Sequence, residues 1–469
     1  MFINRDSELD QLERMYGSDR AELFILYGRR RVGKTELLRA FCEDKPDIFF
    51  IATHSSDGDQ LAAFSQRIWE FPDRRVADGF SLPSWEAAFR ALAELPGRPV
   101  VVLDEFTYLV AGNKAIPSIL QMVWDETLQH TRVFLVLCGS HVGMMEKAVL
   151  SYQAPLYGRR TGGYLLQALD PPAATAFFPG YSPVQQTEAW AVLGGMPHYL
   201  RTFVDSVDIF ANIREHVLDR RGTLYNEPYL LLMEELREPR NYFSILRAIA
   251  EGNTRLNEIA QSAKVGEGPT TARYLDILRE MRVVKRAVPA SEPRPERSNK
   301  GLYQITDPFL RFWFRYVHPY RASLEQGLAD AIIKQRVRPD FDHFVAPAFE
   351  ELAREYIARL ARAQKLPFLP ERIGGWWTRL DEIDVMAVSD ADGAMLVGEC
   401  KWSVNRVGLD VLVDLKRKAR VLAASGRWPN VSYALFAKAG FTPDLESVAD
   451  SEGIRLVQPA DILKEGLAD

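Results

Sequence analysis

The first third of the chain alternates short apolar runs with segments in which apolar residues recur at helical spacing. The runs are rich in Val, Ile, Leu and Phe without polar alternation, which is typical of strands buried on both faces. Such strands, alternating with helices, predict a parallel sheet covered by helices on both sides. The predicted strands are Leu23–Tyr27, Ile48–Ala52, Val100–Leu103 and Val133–Cys138, and the predicted helices are Glu36–Cys42, Leu61–Trp69, Trp85–Leu95 and Ile116–Leu128.

The pattern becomes helical after residue 170. Residues 171–238 predict a helical lid, interrupted at Gly194-Gly195-Met196-Pro197. Residues 239–320 contain three short helical segments and then two strands, an order that predicts a winged-helix domain. Its helices are predicted at Tyr242–Glu251, Leu256–Ala263 and Thr270–Met281, its strands at Lys285–Val288 and Leu302–Ile305, and its wing at Pro289–Lys300.

The last part of the chain has the pattern of a separate α/β domain. Residues 321–338 predict a connector helix, and residues 339–469 predict the new domain. Its elements are a helix at Phe349–Ala363, strands around Thr378–Val388 and Ala394–Cys400, a helix at Leu409–Ala424 and a strand at Val431–Ala437. With residues 1–170 as the first domain, the expected fold class is α/β.

Composition narrows the class of protein. A chain of 469 residues is too long for one hydrophobic core, and its net charge of −5 excludes a polycation that binds nucleic acid over its whole surface. No apolar run is long enough to cross a bilayer, and the polar start predicts no secretory signal. The three cysteines are far apart in the sequence and show no zinc spacing. A cytoplasmic protein without membrane contact is therefore expected.

A phosphate-binding loop follows the first predicted strand. Its residues match the pattern G-x-x-x-x-G-K-T and lead directly into a helix, which is the context that the motif requires. The backbone N–H groups would wrap the phosphates of ATP. The lysine would pair with the β- and γ-phosphates, and the threonine hydroxyl would bind Mg²⁺. The loop consists of Gly28, Arg29, Arg30, Arg31, Val32, Gly33, Lys34 and Thr35.

An acidic strand end supplies the second half of this site. The buried strand Val100–Leu103 runs directly into Asp104 and Glu105. Carboxylates at the end of a buried strand are costly unless they serve a cation or a water molecule. Asp104 is expected to bind Mg²⁺, and Glu105 is expected to act as the general base that polarises the attacking water.

Three further residues are candidates for the same site. Ser140 follows the strand Val133–Cys138 and would hydrogen-bond the γ-phosphate or the attacking water. Arg159 and Arg160 would supply a charge-neutralising arginine, either in the same chain or to a neighbouring subunit of a homo-oligomer. An ordinary pair of surface arginines is the alternative.

These motifs together resemble the archaeal-type ATPase family, a branch of P-loop ATPases near the AAA+ and signal-transduction ATPases. The resemblance covers about residues 1–320. It implies that Arg5 contributes near the adenine and that Pro197 faces the nucleotide from the lid. The residues that carry it are Phe2–Leu9, the two phosphate-site motifs, Cys138-Gly139-Ser140, Tyr157-Gly158-Arg159, Gly194-Gly195-Met196-Pro197 and Ile305–Trp313.

The predicted winged helix has a charge opposite to that of the whole chain. Between Gly268 and Lys300 there are eight Lys and Arg residues and four acids. Such a patch can neutralise DNA phosphates. Packing of this domain against the ATPase module is an equally weighted alternative. The candidate nucleic-acid contacts are Arg273, Arg279, Arg294 and Arg297.

A carboxylate cluster is predicted in the C-terminal domain. A hairpin would bring Asp384 beside Glu399, and strand alternation would place Lys401 on the same face as Glu399. The acids would bind Mg²⁺ and orient a water, and the lysine would activate that water or stabilise the phosphate. The pattern resembles the PD-(D/E)XK nuclease fold over residues 339–469, with Glu350 completing the cluster and Ile383 standing where many members have proline. A salt-bridged face on an inactive domain is the alternative.

The leading hypothesis combines these domains into an ATPase switch that controls a winged helix and a restriction-endonuclease-like domain acting on DNA, in defence or DNA processing. One competing hypothesis is a signalling or scaffold ATPase that cleaves nothing. Another is an ATP-dependent regulator of transcription.

Overall fold

The computed structural model describes residues 3–71, 80–236, 239–424 and 426–464. Phe2 of the N-terminal motif and residues 237–238 at the end of the predicted lid lie outside the described residues. The chain divides into two compact units. The first comprises Met1–Leu169 with Met196–His198, and the second comprises Asp170–Gly195 with Tyr199–Asp469.

The first unit is built on a five-stranded sheet whose neighbouring strands are all parallel, as the hydrophobic pattern predicts. Its strand order is β2-β3-β4-β1-β5. The strands are β1 (Glu22–Tyr27), β2 (Asp47–Ile51), β3 (Val100–Asp104), β4 (Phe134–Gly139) and β5 (Gly162–Leu165). The helices are α1 (Asp6–Tyr16), α2 (Lys34–Cys42), α3 (Asp57–Glu70), α4 (Trp85–Ala91), α5 (Phe106–Gly112), α6 (Ile116–Glu126) and α7 (Val142–Met145).

The edge strand β5 was not predicted from the sequence, because it is short and contains Gly162-Gly163. A side chain on Gly163 would begin 3.2 Å from the carbonyl oxygen of Ile25 in β1. Glycine therefore lets β5 pair closely with β1, and it also removes the apolar signal that marks the other strands.

Helices make up most of the second unit. Pro197–Leu200 spans its boundary with the first unit. The helices before the next strand are α8 (Pro171–Thr175), α9 (Pro183–Leu193), α10 (Pro197–Leu200), α11 (Ile209–Asn212), α12 (Glu227–Glu235), α13 (Pro239–Ala250), α14 (Leu256–Ala263) and α15 (Gly268–Glu280). Among the described helices, none is both long and apolar enough to cross a membrane.

Helices α13 to α15 pack against one another and are followed by an antiparallel pair of strands, β6 (Val284–Ala287) and β7 (Leu302–Ile305). The segment between these strands is anchored at its start. The Ala290 N–H donates to the Gly375 carbonyl at 2.9 Å, and Arg372 Nε donates to the Ala290 carbonyl at 3.0 Å. This segment is therefore attached to the C-terminal sheet at its base.

The prediction of one connector helix over residues 321–338 is wrong. The segment forms α17 (Arg321–Glu325) and α18 (Ala329–Ile332), separated at Gly327, whose φ of +80° favours glycine. A π-helical turn at Ile333–Val337 then joins α18 to the long helix α19 (Arg338–Arg362). Helix α19 thus begins well before the predicted Phe349. The aromatic helix α16 (Pro308–Tyr316) precedes this segment.

The C-terminal sheet has five strands in the order β12-β11-β10-β9-β8. Strands β8, β9 and β10 are antiparallel, whereas β10, β11 and β12 are parallel. Its strands are β8 (Arg372–Trp377), β9 (Glu382–Ser389), β10 (Ala394–Lys401), β11 (Asn430–Ala437) and β12 (Arg455–Val457), and the helices that follow α19 are α20 (Leu409–Ala423), α21 (Pro443–Glu452) and α22 (Pro459–Leu463).

Alternation along β11 assigns the two faces of this sheet to different helices. Leu435 shares a buried cluster with Leu415 of α20, whereas the ring of Phe436 contacts that of Tyr356 of α19 at 6.3 Å. The sheet therefore lies between α19 and α20, and side chains at the ends of its strands meet residues from both helices.

Candidate functional site

The phosphate loop lies at the carboxyl end of β1, where close backbone approach requires glycine. A side chain on Gly28 would begin 2.5 Å from the Leu166 carbonyl oxygen. Gly33 has a φ of +98°, a left-handed conformation, and α2 begins at the next residue. The N–H groups at the start of α2 therefore face the space enclosed by the loop.

The side chain of Lys34 folds back onto the loop. Its Nζ donates to the Gly28 carbonyl at 2.9 Å and to the Arg29 carbonyl at 3.1 Å. Lys34 is 5% exposed, and burial lowers the pKa of its ammonium group, opposed by the charges of Asp104 and Glu105. Among the described residues, the hydrogen-bond partners of this buried cation are carbonyl oxygens, so it is well placed to bind a phosphate.

Thr35 and Asp104 meet across the gap between α2 and β3. The Thr35 hydroxyl donates to Asp104 Oδ2 at 2.7 Å, and Asp104 is 2% exposed. A hydroxyl and a carboxylate are oxygen ligands of the kind that Mg²⁺ binds beside phosphates. The donor set at this point therefore fits Mg²⁺.

Glu105 has a strained backbone and is held by Ser140. Its φ and ψ are 52° and 42°, a left-handed conformation that is uncommon outside glycine. The Ser140 hydroxyl donates to Glu105 Oε1 at 2.5 Å, and the Ser140 N–H donates to Oε2 at 3.3 Å. The sequence predicted that Ser140 would contact phosphate or water, and in this structure Glu105 accepts its hydrogen bonds.

Arg5 contacts the phosphate loop and stabilises it. Its guanidinium pairs with Glu8 at 2.9 Å and donates to the carbonyl oxygens of Val32 at 3.2 Å and Gln167 at 2.7 Å. The resemblance placed Arg5 near the adenine, but the described contacts join α1 to the loop and to the segment after β5. The i,i+3 spacing of Arg5 and Glu8 is the sequence signal for this ion pair.

Two loop arginines are paired with aromatic residues of other elements. Arg30 donates to the Tyr108 hydroxyl of α5, and Arg31 lies against the imidazole of His198. The Pro197 ring reaches within 4.0 Å of the point where a side chain on Gly33 would begin. Residues 196–198 therefore cover part of the loop, and Tyr108 and His198 are contacts that sequence reasoning missed.

The predicted cluster of the C-terminal domain is assembled at one end of β9 and β10. The Cys400 N–H donates to Asp384 Oδ2 at 2.8 Å, and Lys401 Nζ is 2.8 Å from Glu399 Oε1. Burial, together with the charges of Glu350 and Glu399, raises the pKa of Asp384 to about 7. The predicted proximity of Asp384, Glu399 and Lys401 is therefore present in the structure.

Cations neutralise the acids of this cluster. Arg354 Nη2 lies 2.8 Å from Glu350 Oε2, and Arg354 Nε donates to the Asp384 carbonyl at 2.6 Å. Within the part of the chain that the structure describes, no group of three or more His, Cys, Asp or Glu side chains is arranged to hold a metal ion. The predicted Mg²⁺ ligands Glu350, Asp384 and Glu399 are therefore paired with cations or a backbone N–H in this conformation.

A family model described as "ATPase domain predominantly from Archaea" matches residues 2–203. An uncharacterized protein of Methanocaldococcus jannaschii, MJECL04, is 32% identical over 424 residues, which are 90% of this chain and 92% of that protein. The chain belongs to the archaeal-type ATPase family. It is an ATPase, and nucleotide binding follows from that membership.

Three other matches cover parts of this archaeal-type ATPase. Residues 313–416 match a family described as "Archaea bacterial proteins of unknown function". The uncharacterized ATP-binding protein MJ0423 of Methanocaldococcus jannaschii is 58% identical over 45 residues, 10% of this chain and 76% of that protein. Among solved structures, the Walker-type ATPase PABY2304 of Pyrococcus abyssi aligns with a TM-score of 0.49 and 24% identity, over 67% of this chain and 96% of that one.

The arginine pair of the ATPase lies near the amino end of β1, whereas the phosphate loop follows the carboxyl end of that strand. The Thr161 N–H, directly after Arg160, donates to the Leu23 carbonyl at the start of β1, whereas Gly28 follows the end of that strand. Five residues of strand separate the two points by about 16 Å. Arg159 is paired with Asp125 at 2.8 Å, and Arg160 is exposed. The alternative in which either arginine neutralises phosphates bound to its own chain does not fit this geometry.

The arginines predicted to contact nucleic acid are on the surface. Arg273 and Arg279 are exposed on α15, and Arg279 pairs with Asp276 at 2.9 Å. Arg294 and Arg297 are exposed in the segment between β6 and β7. The excess of positive charge counted between Gly268 and Lys300 is reduced by pairing with acids elsewhere in the archaeal-type ATPase. For example, Lys285 of β6 pairs with Glu351 of α19.

The sequence analysis did not predict two charged residues of the C-terminal cluster, Arg354 and Lys418. Arg354 is four residues after Glu350 on α19, a spacing that permits an ion pair. Lys418 lies on α20, and its Nζ is 3.2 Å from Glu399 Oε2. No local spacing relates Lys418 to Glu399, so only the packing of α20 on the sheet brings them together.

Proposed function

We propose that this archaeal-type ATPase is a nucleotide-controlled switch that acts on DNA through its C-terminal half. The observation that supports the nucleotide part best is the arrangement of Lys34, Thr35 and Asp104 around the start of α2. Lys34 would contact the β- and γ-phosphates, while Thr35 and Asp104 would hold Mg²⁺. A bound Mg²⁺ would supply charge neutralisation for those phosphates.

Glu105 is the proposed general base of hydrolysis. It would accept a proton from the water that attacks the γ-phosphorus, the bond to the bridging oxygen would break, and ADP and phosphate would be released. In this structure both oxygens of Glu105 accept hydrogen bonds from Ser140. Ser140 is therefore proposed to orient the base, and a contact with the γ-phosphate would be its alternative partner.

The three helices α13 to α15 and the strands β6 and β7 are proposed to form a winged helix that contacts DNA. The order of these elements and the exposed arginines of α15 and the wing support the proposal. Arg273, Arg294 and Arg297 would neutralise phosphates, and Arg279 would do so after leaving Asp276. The wing base is anchored on β8, so the wing would present its arginines in a fixed position.

The C-terminal domain is proposed to have a nuclease-like fold that cleaves phosphodiester bonds. The meeting of Asp384, Glu399 and Lys401 at one end of a mixed sheet supports it. Water would attack the phosphorus, the bond to the leaving oxygen would break, and that oxygen would take a proton. Mg²⁺ held by Glu350, Asp384 and Glu399 would supply Lewis acidity, and those acids would have to exchange their present partners for it.

Arg159 and Arg160 are proposed to act toward a neighbouring copy of the chain. Their place at the amino end of β1, away from the phosphate loop, favours this over a role in the same chain. Arg160 is exposed and available to such a copy. The proposal predicts that turnover per chain increases with protein concentration and that Arg160→Ala abolishes the increase.

The deciding experiment measures ATP hydrolysis by the full chain with and without duplex DNA, together with Mg²⁺-dependent DNA degradation. Loss of degradation in Asp384→Ala and Lys401→Ala, with Glu446→Ala of α21 as an exposed control, would support cleavage. ATP hydrolysis without degradation of DNA or RNA would favour the signalling or scaffold hypothesis. Specific, salt-sensitive binding to duplex DNA without cleavage would favour a regulator of transcription.

A further inference from the structure

Two lysines share the carboxylate of Glu399. Lys401 Nζ lies 2.8 Å from Oε1, and Lys418 Nζ lies 3.2 Å from Oε2. The Glu399 side chain is only 9% exposed, so this carboxylate is largely removed from water. Each of its oxygens thus has an ammonium partner from a different element, β10 for Lys401 and α20 for Lys418.

The two lysines have different surroundings. The side chain of Lys418 is 9% exposed and also pairs with Asp414, one helical turn away, at 3.1 Å. The side chain of Lys401 is 42% exposed and lies at the end of its strand. Lys418 is therefore an internal ion-pair partner, whereas Lys401 can be reached by a ligand from solvent.

The difference in exposure decides which lysine can leave Glu399 for another partner. Separating Lys418 from Glu399 would leave a buried charge without a partner, which is strongly unfavourable. An ion pair with an exposed lysine contributes little, because water and salt ions compete for the ammonium. Lys401 can therefore leave Glu399 at small cost, provided that Lys418 remains.

We propose that Lys418 is a positioning residue that neutralises and orients Glu399, and so leaves Lys401 to contact a phosphate of DNA. The proposal rests on the DNA-cleaving function proposed above. Without the Lys418 charge, Glu399 would retain Lys401 as its counter-ion. The substrate phosphate would then lose its contact with the Lys401 ammonium.

The test is a double-mutant cycle on the salt dependence of duplex DNA binding by the full chain, measured by fluorescence anisotropy without Mg²⁺. In the wild-type background, Lys401→Met should reduce the slope of log K against log salt by about 0.9, the loss of one phosphate contact. In the Lys418→Met background, the same change should leave the slope unaltered. Lys416→Met, on the same helix, is the matched control and should preserve the effect of Lys401→Met.

A third substitution separates the loss of the Lys418 charge from a general disturbance of α20. Glu399→Gln combined with Lys418→Met removes both buried charges, and it also removes the group that would retain Lys401. The slope effect of Lys401→Met should reappear in that background. If Lys401→Met has the same slope effect with and without Lys418, or if Glu399→Gln does not restore it, the inference is wrong.

Cleavage kinetics separate this inference from the function on which it rests. With Mg²⁺ present, Lys418→Met should lower kcat about tenfold or more with little change in KM, and Lys418→Arg should recover most of the loss. A wild-type chain that binds DNA without cleaving it would refute the nuclease proposal, while the salt cycle would still decide the role of Lys418. A wild-type chain that does not bind DNA would overturn both.

Discussion

Replacement of Asp384 by asparagine tests the electrostatics of the C-terminal cluster in a way that does not require a substrate. The Asp384 carboxyl lies at the end of β9 among Glu350 and Glu399, and burial with those two charges raises its pKa to about 7. The asparagine side chain has nearly the same shape and can still accept the Cys400 N–H. The substitution therefore removes the ability to ionise and keeps the packing.

The expected magnitude follows from the difference between the pKa of Asp384 in the folded chain, about 7, and its ordinary value of 3.8. One pKa unit corresponds to about 1.4 kcal/mol, so about three units give up to about 4 kcal/mol. The folded state holds this proton more tightly than the unfolded state. Stability is therefore lost as pH rises from about 4 to about 7, and the full loss applies above pH 7.

Asparagine abolishes this loss, so Asp384→Asn should stabilise the C-terminal sheet at pH 8 by up to about 4 kcal/mol and have almost no effect near pH 4. Urea unfolding of the full chain, followed by hydrogen exchange in peptides from β9 and β10, would measure the effect. Asp392→Asn, in the turn between the same strands, is the control. An equal effect at both pH values, or a destabilised variant at pH 8, would refute the argument.

Four other substitutions, one of them with a matched control, test the remaining sites. Lys34→Ala should abolish ATP hydrolysis because the ammonium group at the phosphate loop is lost, and a phosphate-release assay should show no turnover above background. Glu105→Gln should bind ATP normally but hydrolyse it at least about 100-fold more slowly, and normal turnover in this variant would exclude Glu105 as the base. Ser140→Ala should lower kcat with unchanged nucleotide affinity. Arg273→Ala should reduce the salt slope of duplex DNA binding by about 0.9, whereas the control Arg247→Ala should not.

The nucleotide-binding half was largely predictable from the sequence. The four strongest strands are continuous apolar runs, and the G-x-x-x-x-G-K-T loop and the acidic strand end occupy consecutive positions. Such features depend on a few neighbouring residues, so short stretches of sequence encode them. The hairpin of β9 and β10 was predictable for the same reason.

The partners of each charged residue were not predictable in this way. Ser140 and Glu105 directly follow neighbouring strands, but only the structure shows the serine donating to both oxygens of the carboxylate. Arg159 could be assigned to the phosphate site from its motif, yet the start of β5 lies beside the start of β1 and not beside its end. Residues far apart in sequence meet according to strand order and register, which local patterns do not specify.

Local patterns in this chain predict the candidate residues for phosphate and metal binding, because backbone conformation and side-chain chemistry at a motif depend on adjacent positions. Tertiary packing decides which charges neutralise them. Arg354 of α19 donates to the backbone carbonyl of Asp384, and Lys418 of α20 pairs with the carboxylate of Glu399, since the sheet lies between these helices. Electrostatic energy depends on distance through space and on burial, and the folded chain alone sets both.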